Sequence, residues 1–230
     1  MTNEDVLALF EGLRLADIRD GMDWAGLHNV GSVNRAIGPV FQGAEAMGIA
    51  RTVLCRPTQV RIPTMTPEEY SDWSLQYYLD RYQDRSEITP NVKPGEFIVF
   101  ESAGTGSGEI GSANSLEWHA MGARGIVTTG GVRDIDECIR HRIPIFSAHR
   151  AQTMVQGYSE LAATQVPVNL DGTLVNPGDL IVANGDGVLV VPQTHFEIVA
   201  KWARRELDRD KEWRTQWYDK LGWDDSRRVL

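Results

Sequence analysis

The chain has 230 residues, 42% of them apolar, with 32 acidic against 23 basic side chains. It is long enough to bury a hydrophobic core without disulfide or metal staples, and with seven Trp it lacks the polar, aromatic-poor signature of disorder. A net charge of -9 argues against a nucleic-acid partner, which phosphate contacts would mark with clustered Lys and Arg; the basic pairs Arg204-Arg205 and Arg227-Arg228 stand among acids.

The chain opens Met1-Thr2-Asn3-Glu4-Asp5, acidic where a signal peptide is basic, and no apolar run approaches the roughly 18 residues of a membrane span. A soluble, cytoplasmic protein with no membrane partner is expected. Residues 4–15 carry apolar side chains at helical spacing with acids in the first turn. Residues 38–61 read as loop and strand, ending in an apolar run rich in branched residues, and Pro57, Pro63 and Pro67 then break the chain. A helix follows from Glu68 to Tyr82, with Tyr70, Trp73, Leu75, Tyr77, Tyr78 and Tyr82 as an aromatic stripe for the core or a subunit contact.

Phe97-Ile98-Val99-Phe100 is a short buried strand, followed by a glycine-rich loop over 104–111 and a helix from about Ser112 to Met121, capped by Gly122. Residues 125–129 make a second strand, so the segment is a β-loop-α-β unit of the kind used for parallel strands. A helix at 134–141 and a strand at about 142–148 come next. Strands are then expected around 166–168, 175–183 and 188–192, with Asn184-Gly185-Asp186-Gly187 as a hairpin turn. From Thr194 onward one or two charged helices form a tail. One α/β domain covers residues 1–230.

Cys55 and Cys138 have no C-x-x-C spacing and read as reduced, structural thiols. His119, His141, His149 and His195 lack zinc spacing and His28 stands alone. Lys93, Lys201, Lys211 and Lys220 fall in turns or charged helices, poor settings for an amine nucleophile.

Gly106-x-Gly108-x-x-Gly111 matches a dinucleotide fingerprint, but the strand after it ends in Thr-Thr-Gly-Gly and not in the acid that binds a ribose hydroxyl. A glycine turn into a helix N-terminus still offers free amides, near Ala113 and Asn114, to a small anion such as a carboxylate. The alternative is a glycine turn that merely packs closely. The turn Gly130-Gly131-Val132-Arg133-Asp134 falls at the carboxyl end of a strand, where ligands collect. Asp134 is a hard oxygen ligand suited to Mg2+ or Mn2+, and Arg133 is a planar fork for a carboxylate or an enolate oxygen. Equally, Asp134 could cap the next helix and Arg133 pair with a surface acid.

Gly111, the Gly-x-x-Gly at 122–125, the buried strand and Gly-x-Val-Arg-Asp at 130–134 together resemble the RraA-like family. The segment from Pro177-Gly178-Asp179 through Asp186-Gly187-Val188 to Pro192 is similar to that family's second signature. The resemblance is good over residues 92–192 and weaker over 1–91; residues 193–230 would pack on a neighbouring subunit. It implies a swivelling β/β/α domain with a helical C-terminal tail, assembled as a homotrimer or dimer of trimers. It further implies a metal-dependent, class II type aldolase that releases pyruvate from a small 2-keto acid, often with oxaloacetate decarboxylation. The family also contains non-catalytic regulators that inhibit ribonuclease E. By this resemblance Asp134 binds the divalent cation, Arg133 steadies the pyruvate oxygen, and the amides after Gly111, at Ala113 and Asn114, receive the substrate carboxylate. A C-terminal acid from a neighbouring subunit approaches the metal, Glu212 being the better match and Glu206 the second. Where the aldolases carry an acid after the first glycine, this chain has Ser112. Glu109, upstream on the loop, and Glu117, further into the helix, are the candidates to replace it.

Overall fold

The computed structural model describes residues 1–82 and 88–228. The chain starts with two short helices, α1 (Asn3–Phe10) and α2 (Leu15–Trp24). The expected single helix over 4–15 is corrected here: Gly12, at φ +72°, breaks it, and α2 begins after the break. β1 (Gly38–Pro39) and β2 (Ala46–Pro57) lead to α3 (Pro67–Arg81), which Thr66 caps by accepting from the Glu69 amide. Then come β3 (Glu96–Glu101), β4 (Gly108–Ile110), α4 (Ser112–Ala120), β5 (Gly125–Val132), α5 (Ile135–His141) and β6 (Ile145–Arg150). β7 (Ser159–Thr164), β8 (Val168–Leu170), β9 (Thr173–Val175), β10 (Leu180–Asn184) and β11 (Gly187–Val191) precede one long helix, α6 (Phe196–Leu221).

The main sheet runs β1-β6-β5-β3-β2-β10-β11, with β4 on β5 and β7 on β2. β2, β3, β5 and β6 are parallel, as the β-loop-α-β reading required, and β10 and β11 form the expected hairpin. The sheet curls until its ends approach: β1 lies beside β11, and Ser32 bridges Leu189. Alternation along β3 explains the layers. Phe97 and Val99 join Val127, Phe146, Ile181 and Val190 inside the curl, while Ile98 and Phe100 face outward to Trp118 of α4 and Cys138 of α5. A third cluster seats α1, α2 and α6 on β10 and β11 through Phe10, Ile18, Leu180, Val191 and Val199. The fold is mixed α/β with a nearly closed sheet and a C-terminal helix.

Both cysteines are buried thiols, and burial pushes that of Cys138 up to about 11. Among the described residues no helix is long and apolar enough to cross a membrane.

Candidate functional site

Three segments meet at the carboxyl end of β5. The glycine pair at 130–131 is not a turn, as the sequence suggested: β5 continues through Val132. Glycine is needed at 130 for space, since a Cβ there would stand 2.4 Å from Ser102 Oγ and 2.8 Å from Glu109 Oε2. The glycine loop likewise ends in a strand, with Gly108 beside Gly131 and Ile110 beside Val132.

After Val132 the Arg133 amide donates to the Ile110 carbonyl at 2.9 Å, and Asp134 turns the chain in the left-handed region at φ 54°, ψ 42°. Aspartate is among the few side chains that tolerate this conformation. Asp134 makes no capping bond to α5, which it precedes. Its Oδ2 instead accepts from the Ser112 amide at 3.2 Å and the Ser112 hydroxyl at 3.4 Å, and Oδ1 accepts from Arg133 Nε at 3.2 Å. The carboxylate therefore sits at the N-terminus of α4, where the helix dipole favours an anion. Asp134 thus occupies the N-cap position of α5 without a side-chain cap, and the acid that Arg133 pairs with is Asp134 itself. Gly111 makes room for this arrangement: a Cβ there would lie 2.7 Å from Asp134 Oδ2. Asn114 fixes the loop, its Oδ1 accepting from the Gly111 amide at 2.8 Å and its Nδ2 donating to the Glu109 carbonyl at 2.9 Å.

Gly111, Ala113, Asn114, Arg133 and Asp134 line one cavity of about 480 Å³. Arg133 and Asp134 are each about one-third exposed, at 32% and 33%. The opposing part of the lining is apolar: Leu75, Tyr78, Leu79 and Tyr82 from α3 and its C-cap, with Met154 and Val155. The aromatic stripe thus divides. Tyr77 and Tyr82 are buried with Trp73 packed against the core, whereas Leu75 and Leu79 are exposed on the cavity side. Sequence reasoning missed this wall. The signal was present as a second line, at 75, 78 and 79, beside the core positions 73, 77 and 82.

Glu109 lines the same cavity, but its expected place on a flexible loop is corrected: it stands on β4 and is only 5% exposed. Oε1 accepts from the Ala103 amide at 3.2 Å, and Oε2 is buried without a hydrogen-bond partner among the described residues. Burial raises its carboxyl above the ordinary value, against the opposing pull of the nearby Ser102 hydroxyl, the Ala103 amide and the Ser159 hydroxyl. Glu117 is half-buried on α4 and is not among the described residues lining the cavity. Within one chain α6 brings neither C-terminal acid to the cavity. Both Glu206 oxygens accept from Arg209 at 3.0 Å, and Glu212 is exposed further along the helix.

Among the described residues no group of three or more His, Cys, Asp or Glu is assembled for a metal. Asp134, a partly exposed carboxylate in a cavity that the buried Glu109 also lines, fits a hard ion such as Mg2+, which binds through one or two carboxylates and keeps several waters. It does not fit a closed tetrahedral zinc centre.

A family model described as "RraA-like: Aldolase/RraA" matches residues 15–190. A Halalkalibacterium halodurans protein provisionally named a 4-hydroxy-4-methyl-2-oxoglutarate aldolase is 31% identical over 127 residues, which is 52% of this chain and 57% of that relative's length. The crystal structure of an uncharacterised Pseudomonas syringae protein is 28% identical with a TM-score of 0.71, covering 97% of each chain. A Streptomyces coelicolor protein, described as an unusual member of the RNase ES inhibitor RraA family, is 21% identical with a TM-score of 0.69 over 97% of this chain and 98% of its own; at that identity the likeness is one of fold. With three-quarters of its length matched by one model, the chain belongs to the RraA-like family.

Proposed function

We propose that this chain is a divalent-metal-dependent carbon–carbon lyase that cleaves a small 2-keto acid, by retro-aldol reaction or decarboxylation, to give pyruvate. The observation that carries the reading is the meeting of Arg133, Asp134 and the first turn of α4 on one cavity wall. Retro-aldol cleavage and β-decarboxylation both leave the enolate of pyruvate, so the machinery must favour negative charge on the former keto oxygen. The amides of Ala113 and Asn114, at the positive end of α4, receive the substrate carboxylate. The Arg133 guanidinium then donates to the oxygen on which charge develops. Asp134 holds the cation, Mg2+ or Mn2+, and Ser112 steadies Asp134 by donating from its amide and hydroxyl. Bound there, such an ion supplies Lewis-acid polarisation of the keto acid. Ser112 carries no charge and takes no proton at neutral pH, so it orients the site and leaves acid–base work to other groups.

The test is metal-dependent release of pyruvate from oxaloacetate and from a panel of 4-hydroxy-2-keto acids, with Mg2+ or Mn2+ and then with EDTA. Asp134→Asn, which keeps a side chain that tolerates the left-handed backbone, should lower turnover by at least about a hundredfold while leaving the circular dichroism spectrum unchanged. No metal-dependent turnover on any of these compounds would overturn the reading and leave the family's regulatory role as the alternative.

A further inference from the structure

The cavity that holds Arg133 and Asp134 is larger and more apolar than pyruvate chemistry alone requires. Pyruvate has about six non-hydrogen atoms, whereas the cavity, at about 480 Å³, falls among pockets of about 300–1,000 Å³ that take drug-sized ligands. Leu75 and Leu79 stand one helical turn apart on α3 and are 63% and 60% exposed at its rim. The packing of α3 does not account for them, since Trp73 and Tyr77 already seat that helix on the core. Charge points the same way. Arg133 is the one cationic side chain among the described residues lining the cavity, and its Nε already donates to Asp134. A second carboxylate on the substrate would meet the alkyl side chains of Leu75 and Leu79 where it needs a cation or a donor-rich pocket.

Resting on the lyase reading above, we propose that the leaving side of the substrate is apolar: an aryl or branched alkyl group on C4 of a 4-hydroxy-2-keto acid, released as an apolar aldehyde. The cleavage balances without a further reactant. The C4 hydroxyl gives its proton to water and its oxygen forms the new C4 carbonyl. The C3–C4 bond breaks, its electron pair stays with C3 as the enolate, and a proton from water completes the methyl group of pyruvate. Leu75, Tyr78 and Leu79 contact the C4 substituent while the keto-acid end lies on Arg133 and the start of α4.

Two measurements on the full chain test this. With Mg2+ present, kcat/KM for pyruvate release is compared between 4-hydroxy-2-oxo-4-phenylbutanoate and 4-hydroxy-2-oxoglutarate. The aryl compound should be favoured by about tenfold or more, and Leu79→Arg, which places a cation on the apolar wall, should move that ratio about tenfold toward the diacid. Calorimetric binding of phenylpyruvate and 2-oxoglutarate, with and without Mg2+, should follow the same order without relying on turnover. Preference for the diacid overturns the inference, and if oxaloacetate is still decarboxylated in a metal-dependent way the lyase reading stands without it. Absent turnover with phenylpyruvate bound more tightly, and weakened by Leu79→Arg, sinks the lyase reading and keeps the apolar ligand. If Leu79→Arg stays folded but changes only the native mass, the wall is a subunit contact and the inference fails.

Discussion

Glu109 is a carboxyl removed from water, with one oxygen on the Ala103 amide and the other buried without a partner among the described residues. Its raised pKa has a definite consequence for stability. Above the ordinary value of 4.5 the unfolded chain has released this proton while the native state still holds it. The unfolded state then binds fewer protons, and stability falls as pH rises until Glu109 ionises in the native protein too. Glu109→Gln removes the titration. Its thermal midpoint relative to the parent should therefore rise as the pH is taken upward from the ordinary value of 4.5, read by calorimetry in matched buffers. A difference that stays flat with pH would show that Glu109 titrates as an exposed carboxylate does. At this scale the sequence marked the positions but not their arrangement. Residue types and spacing drew notice to Arg133, Asp134 and the glycine turn before α4 while leaving a plain structural role equally open, and only the family resemblance gave these residues functions. Nothing local could reveal that Asp134 would turn left-handed and reach back to Ser112, since that depends on β4 pairing with β5.

At the scale of elements, α2 and α6 show how closely helices approach in this fold. Gly21 has ordinary helical backbone, so space determines its identity: an added Cβ would stand 2.6 Å from the Val199 carbonyl oxygen and 2.7 Å from the Ala203 nitrogen. A better helix former would gain about 1 kcal/mol locally, but backbone atoms cannot yield as a side-chain tip would. Gly21→Ala should therefore destabilise by about 1–3 kcal/mol, measured by urea unfolding, and an unchanged or raised midpoint would show that the two helices can separate freely. Neither α2 nor β7 was legible in the sequence. The segment Leu15–Trp24 places three acids and Gly21 among its apolar residues, and its helical face is defined only by the α6 contact. β7, Ser-Glu-Leu-Ala-Ala-Thr, has no β-branched apolar residue and owes its extended form to pairing with β2 across a bulge at Leu54 and Cys55. By contrast β3, β10 and β11 were plain, because both faces of each are buried and the sequence runs continuously apolar.

At the scale of the whole molecule, α6 is the feature that one chain does not account for. Its 26 residues span about 39 Å. Val199, Ala200, Ala203 and Leu207 use the first half against α2 and the sheet. Beyond them Trp213, Trp217 and Leu221 recur every fourth residue and are 60%, 42% and 59% exposed, an apolar stripe on the far end of a charged helix. Such a stripe favours association, and Glu212 immediately precedes its first member. We propose that the protein assembles as a homotrimer or dimer of trimers in which this end of α6 lies on a neighbour and brings the partner subunit's Glu212 toward the cavity of Arg133 and Asp134. The native mass at neutral pH should then be three or six times the 25.7 kDa of the chain. Trp217→Asp puts a charge on the stripe, away from the cavity within its own chain, and should yield folded monomers that have lost most metal-dependent pyruvate release. Glu212→Ala should keep the assembly intact and lower turnover by about 10–100-fold, as expected of a group that orients metal-bound water from outside. The two variants separate the roles of contact and chemistry. A fully active monomer would remove Glu212 from the site, and the cation would then rest on Asp134 and solvent alone.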